Sequence, residues 1–174
     1  MTAIIDHADR RILALLQEDA GLSMAELAER AGLTVSPCWR RVQRLRDEGI
    51  IQRQVALLDR RKLGLDTQIF AQVRLTAQGR ERIDEFADKI RSFPEVLECY
   101  VMMGSTDFLL RVVSTDIHAY EAFFFEKLSR VPGIQEISSM VALSEIKATT
   151  ALPIPEQPGD RPTRTTSRDR RRGG

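Results

Sequence analysis

The spacing of apolar residues changes once along this chain, and that change limits its possible folds more than any other feature. Up to about residue 49 they recur at three- and four-residue intervals; from Gln68 onward, stretches of period two alternate with stretches of helical period. A single type of layer cannot satisfy both, because a helix buries a stripe and a strand buries every second residue. The chain therefore reads as an α+β protein of two units. A helical unit is expected over 1–50, a linker strand over 51–66, a mixed unit over 67–150 and a tail over 151–174.

The helical unit carries its own boundary signals. Asp9 opens a helix whose Ile12, Leu13, Leu15 and Leu16 share one stripe, and Asp19-Ala20-Gly21 closes it. Ser23-Met24-Ala25-Glu26 is a capping box, in which hydroxyl and carboxylate satisfy the free amides of a helix start. Met24, Leu27, Ala28 and Ala31 follow at amphipathic spacing, and Gly32 stands where a helix end needs a left-handed residue. Thr34 or Ser36 can cap a third helix, with Pro37 in its first turn, running through Arg46 to Gly49. Three short helices with a glycine turn before the last form a helix-turn-helix pattern.

At 100° per residue, Cys38, Val42 and Leu45 of the third helix face inward, so Ser36, Arg40, Gln43 and Arg44 project from the other side. Thr34 to Arg46 holds four arginines and no acid, inside a 60-residue segment with nine basic and nine acidic groups. The face suits a DNA major groove, since Arg and Gln can each pair two base-edge acceptors. Arg41 and Arg46 lie on the flanks and fit phosphate contacts; Trp39, at the stripe's edge, can pack on the helix pair or lean on a sugar. The whole-chain formal charge of +1 hides this local excess.

Ile50-Ile51 and the following Gln52 to Leu58 look extended, with Asp59 to Gly64 as a turn. Beyond it, Ile69 to Leu75 alternates like a strand, and Arg80 to Arg91 shows one helical face. Strands at Val96 to Met103 and Asp107 to Ser114 flank the tight turn Gly104-Ser105-Thr106. Thr115-Asp116 caps a second helix with Ile117, Tyr120, Phe124 and Leu128 inward, and a last strand runs from Ile134 or Ile137 to Leu143. The order β-α-β-β-α-β is the ferredoxin-like arrangement, both helices on one sheet face. The other face needs cover, which self-association supplies. The tail, with six arginines and three acids, shows no apolar period and is expected to be disordered and basic.

Several classes are excluded. Apolar runs fall far short of the ~20 residues of a membrane span, and Met1 to Arg11 lacks a signal-peptide layout, so a cytosolic protein is expected. Cys38 and Cys99 are too few for a disulfide framework, and His7 and His118 too scattered for a metal site. No nucleophile–base pair, metal cluster or phosphate loop occurs over 68–143, so no catalytic residue, metal or cofactor is assigned.

With both units in view, the sequence resembles the Lrp/AsnC family of feast/famine transcriptional regulators over nearly all of 5–150. The carrying segments are DRRILALLQEDAGLSMAELAERAGLTVSPCWRRVQRLRDEGII, VALLD, MMGSTDFLLRV, VPGI and MVALSEIK. The resemblance implies a winged-helix-like DNA-binding domain and a C-terminal domain for dimerisation and amino-acid sensing, assembled as dimers, tetramers or octamers in the bacterial cytosol. The family's small-molecule site lies between dimers near the turn after the second strand of that domain, here Gly104, Ser105, Thr106 and Asp107. The two hydroxyls and the Asp107 carboxylate suit an α-amino acid, although the same string also reads as a plain hairpin turn. Many relatives place an Asp directly after the Gly, where this chain has Ser105. Val101, Met140, Val141 and Ala142 match family positions linked with the effector response and equally fit sheet core. The SPCWRR and VALLD segments lean toward a branch that responds to cysteine. Sequence-specific regulation is the first reading; architectural DNA wrapping with little base readout is the second.

Overall fold

The computed structural model describes residues 5–155, and the residues form two compact units. One unit takes in the chain up to Ala56 and again from Ala148; the other spans Leu57–Lys147. The disordered tail expected over 151–174 lies, from residue 156 on, outside the described residues.

In the first unit, α1 (His7–Glu18), α2 (Met24–Ala31) and α3 (Val35–Asp47) surround Ile12, Leu27, Cys38, Val42 and Leu45, all almost fully buried. Each fully buried Leu or Ile contributes roughly 1.5–3 kcal/mol. Asp6, not Asp9, caps α1: Asp6 accepts the Asp9 amide while the Asp9 carboxylate accepts the Asp6 amide. Ser23 and Glu26 make the same reciprocal box on α2, and Gly32 closes that helix at φ 67°. Thr34 occupies the cap of α3 without a side-chain bond, and Pro37 falls in the first turn.

The expected linker strand over 51–66 is not a strand within the chain. Residues 52–59 lie outside helix and sheet, and a turn follows through Gly64, closed by the Leu63, Gly64 and Leu65 amides. The described chain offers this segment no strand to pair with, and a lone extended segment does not make a ladder.

The second unit is a four-stranded antiparallel sheet in the order β2-β3-β1-β4. Its strands are β1 (Thr67–Leu75), β2 (Val96–Val101), β3 (Phe108–Ser114) and β4 (Ile134–Val141). The helical connection after β1 is split by Arg82 into α4 (Ala77–Glu81) and α5 (Ile83–Arg91), where the pattern predicts one helix over 80–91. Thr76 starts it three residues earlier by accepting the Gly79 amide. The return helix α6 (Ile117–Glu126) is capped by Asp116 and followed by a short 3-10 turn at Leu128–Arg130. On α6 it is Phe123 with Tyr120 that is buried, while Ile117 stays exposed. Ile69, Ala71, Val73, Phe108, Leu110 and Val112 point to the helix-covered face. The opposite face is left open, with Phe70, Leu109, Gln72 and Met140 among its residues.

Candidate functional site

On α3 the buried stripe Cys38, Val42 and Leu45 locks the helix to its neighbours and turns Ser36, Arg40 and Gln43 outward. Among the described residues, none of these three side chains makes a hydrogen bond or ion pair, so each keeps its full donor and acceptor set. Trp39 is 52% exposed, a large ring left outside the core of its own unit.

The arginines divide into two kinds. Arg41 bonds the carboxylates of Asp6 (2.6 Å) and Asp9 (2.8 Å), and Arg44 bonds the other oxygen of Asp9. Asp9 has no exposed surface. A buried carboxylate needs such partners, because its transfer from water is costly unless it is paired. Burial works against the charge on Asp6, but the Asp9 amide and the Arg41 guanidinium together hold its carboxyl below the usual range. Arg44, expected in the groove-facing set, and Arg41, expected as a phosphate contact, thus also bolt α1 to α3, and their side chains stay 42% and 31% exposed. Half of the local excess of four is paired with Asp6 and Asp9, leaving Arg40 and Arg46 as its charges without an acidic partner among the described residues. Arg46 donates to Gln54 at 2.9 Å, a neutral partner that leaves its charge intact. The pairing of Asp6 and Asp9 with Arg41 and Arg44 is what sequence reasoning missed; the one local signal was the capping-box spacing of the two aspartates at the start of α1.

In the second unit the turn between β2 and β3 is exposed from Val101 through Ser105, with Gly104 at φ 140° and nothing within 4 Å of where its Cβ would stand. Thr106 and Asp107 are partly covered. Asp107 does not present a free carboxylate. It accepts the Leu75 amide at 2.7 Å and the Arg80 guanidinium at 3.0 Å, tying the turn to the end of β1 and to α4. The Leu75 bond foremost, then Arg80, hold its carboxyl below the ordinary range. An ammonium ligand would have to share this group or displace Arg80.

Val101 and the 104–107 turn lie on the β2–β3 side of the sheet, whereas Met140, Val141 and Ala142 belong to β4 and its end, the opposite edge. Register carries Val101 through Phe108 and Val73 to Ile137, three residues from Met140. Three strand spacings and that offset put the two groups about 17 Å apart. Within one chain they do not form a single site. Met140 shares the open face with a polar row: Arg111 bonds Glu98 at 2.5 Å, and the Tyr100 hydroxyl donates to Glu98 at 2.9 Å. No group of three or more His, Cys, Asp or Glu among the described residues is placed to hold a metal, and none of their helices is long and apolar enough to cross a membrane.

Comparison with known proteins accounts for both halves. Residues 5–52 match a winged helix-turn-helix DNA-binding model and residues 68–152 match the Lrp/AsnC ligand binding domain. The DNA-binding transcriptional activator DecR of Escherichia coli is 40% identical over 151 residues, 87% of this chain and 99% of the relative. The glutamate uptake regulatory protein of Zymomonas mobilis is 37% identical over 152 residues, 87% of this chain and 92% of the relative. A transcriptional regulator of Neisseria meningitidis, crystallised as an L-Met complex, superposes with TM-score 0.83 at 39% identity, over 86% of this chain and 97% of that one. These relatives are regulators, not enzymes. With the three-helix unit and the four-stranded sheet in the order found here, the chain belongs to the Lrp/AsnC family of DNA-binding transcriptional regulators.

Proposed function

We propose that this chain is a sequence-specific transcriptional regulator in the cytosol whose DNA binding responds to an amino-acid effector. The observation that carries it is the division on α3: Ser36, Arg40 and Gln43 stand free on one outward face while Arg41 and Arg44 are consumed in holding that face in place. A rigid, pre-aimed helix favours base readout over architectural wrapping, which needs charge but no fixed side-chain geometry. In a symmetric homodimer two such helices would meet half-sites about one helical turn apart.

The open sheet face supports self-association. It presents Phe70, Leu109, Tyr100 and Met140 beside internally paired charges, a surface that costs little to bury against a copy of itself. The distance between the 104–107 turn and Met140–Ala142 supports an effector site completed by further copies, as in a tetramer or octamer. The L-Met complex of the Neisseria relative makes methionine a first ligand to try, and the leaning of the SPCWRR segment makes cysteine another.

The test is a binding-site selection from random duplexes with the full chain, repeated with each of the twenty amino acids present. Enrichment of a two-fold symmetric site, with one amino acid shifting apparent affinity or particle size, is the expected result. Enrichment of no sequence would sink the base-reading proposal, and no shift with any amino acid would sink the sensing proposal.

A further inference from the structure

The outward side of α3 carries two residues that neither the core nor the helix itself accounts for. Val35 is the first residue of α3 and Trp39 stands one turn later, 49% and 52% exposed. Among the described residues, neither belongs to the apolar set packed on the core of the three helices, which takes in Leu33 before them and Ile50 and Ile51 after. Helix formation does not call for them either. β-Branched Val and aromatic Trp are weaker helix formers than Ala, Leu or Gln, because they lose χ1 freedom against the preceding turn. Solitary exposed apolar side chains are ordinary on a surface, but these two are neighbours on one face, four residues apart.

That face has an order around the helix axis. At 3.6 residues per turn, Val35 and Trp39 lie about 40° apart, Gln43 and Ser36 follow about 40–60° further round, and Arg40 about 40° beyond those. Arg41 and Arg44, which bond Asp6 and Asp9, mark the α1 side of the helix just past Arg40. Val35 and Trp39 are therefore on the flank away from α1, and the polar Ser36 and Gln43 stand between an apolar wall and a guanidinium wall. Asp47 shares this face but lies about 18 Å along the axis from Val35. The part free of acid is thus the N-terminal half, the end of a recognition helix that meets base edges.

We propose that Val35 and the Trp39 ring read thymine, by packing against its C5-methyl group beside the bases met by Arg40 and Gln43. The proposal rests on the base-reading function of α3 and deepens it. In the major groove the other base edges are read through hydrogen-bond donors and acceptors, and thymine alone adds an apolar methyl. An apolar wall pressed on any other edge would strip water from a donor or acceptor without replacing its bond. Val35 and Trp39 are about 6 Å apart along the axis, close to two base-pair steps of about 3.4 Å, so together they reach methyls on about two or three adjacent pairs. A sugar contact, the other use of an exposed Trp, would leave Val35 unexplained and carry no sequence information.

The test uses the full chain and the half-site it selects from random duplexes. Each thymine is exchanged in turn for deoxyuridine, which removes the methyl and keeps every hydrogen-bonding group. Affinities are compared for the parent, Val35→Ser and Trp39→Ser, with urea midpoints recorded; Ser has much the same helix propensity as Val and Trp, so the fold is kept. At one or two thymines near the position whose preference Arg40→Ala relaxes, the exchange is expected to weaken the parent about fourfold, the equivalent of the ~0.8 kcal/mol of one buried CH2. Val35→Ser should erase that penalty at one of them and Trp39→Ser at its neighbour, a coupling that a merely structural role does not produce. Deoxyuridine bound as tightly as thymine throughout the half-site would overturn the proposal, and so would penalties of equal size in all three proteins. Selection of no sequence would overturn the base-reading function on which it rests, an outcome seen before any thymine is exchanged.

Discussion

At the scale of single residues, Asp9 decides how the recognition face is read. It completes the cap of α1, accepts two guanidiniums from α3 and is wholly buried, so its loss strips a cap bond and leaves two cations poorly partnered. Asp9→Ala is expected to lower stability by about 2 kcal/mol or more, read as a shift in urea midpoint. Arg40→Ala, on the exposed face, should stay within about 0.5 kcal/mol of the parent while weakening DNA binding. Had periodicity alone been decisive, Arg40 and Arg44 would behave alike. They differ because Arg44 reaches a partner 35 residues away, and no local pattern encodes a contact of that separation. Asp107 carries the second residue-scale expectation. Its folded pKa lies below the ordinary value, so the unfolded chain binds the proton more readily and stability is lost as pH falls below about 4. Asp107→Asn should be less stable at pH 7 and show a shallower loss on acidification, measured by thermal melts across pH. An unchanged acid profile would mean that the carboxylate is not engaged with Leu75 and Arg80 as described.

At the scale of elements, signals that act within a few residues were legible and those that act across the sheet were not. The Ser23–Glu26 box, Gly32 and Asp116 each set a boundary where sequence placed it, since each satisfies backbone groups one turn away. The connection over 77–91 starts before the predicted 80–91 because its start depends on a contact between the first turn of α4 and the turn before β4. A Cβ on Gly79 would stand 2.4 Å from the Gly133 carbonyl oxygen, and one on Gly133, at φ 84°, would stand 2.7 Å from the Gly79 Cα. The Gly133 carbonyl also accepts the Thr76 amide at 2.9 Å. The first turn of α4 and the turn before β4 are thus pressed backbone to backbone. Gly133→Ala meets both a positive φ and a clash with main chain, so it should cost about 2 kcal/mol or more. A melting temperature within a degree or two of the parent would show that the two turns can separate cheaply. The linker failed as a strand for a related reason: β structure needs a partner, and partner availability is not written in the segment.

At the scale of the whole molecule, the near-zero formal charge resolves into parts with different jobs. Paired arginines hold the helical unit together and free ones face outward. The sheet domain, with eleven basic and thirteen acidic groups, has no general attraction to phosphate, and the tail carries six arginines against three acids. Family and fold were legible because two periodicities occur in a fixed order. The proposed effector site is legible only as a turn and a strand end, because one chain sets them on opposite sheet edges. The central claim is that Arg40 and Gln43 read bases while Arg41 and Arg44 hold the helix that carries them. The most direct measurement is a binding-site selection repeated with the Arg40→Ala/Gln43→Ala chain, checked for a parental urea midpoint. The account predicts that base preference relaxes at two or three positions per half-site while affinity for scrambled DNA changes little. An equal loss of affinity for every sequence, with the preference unchanged, would contradict it.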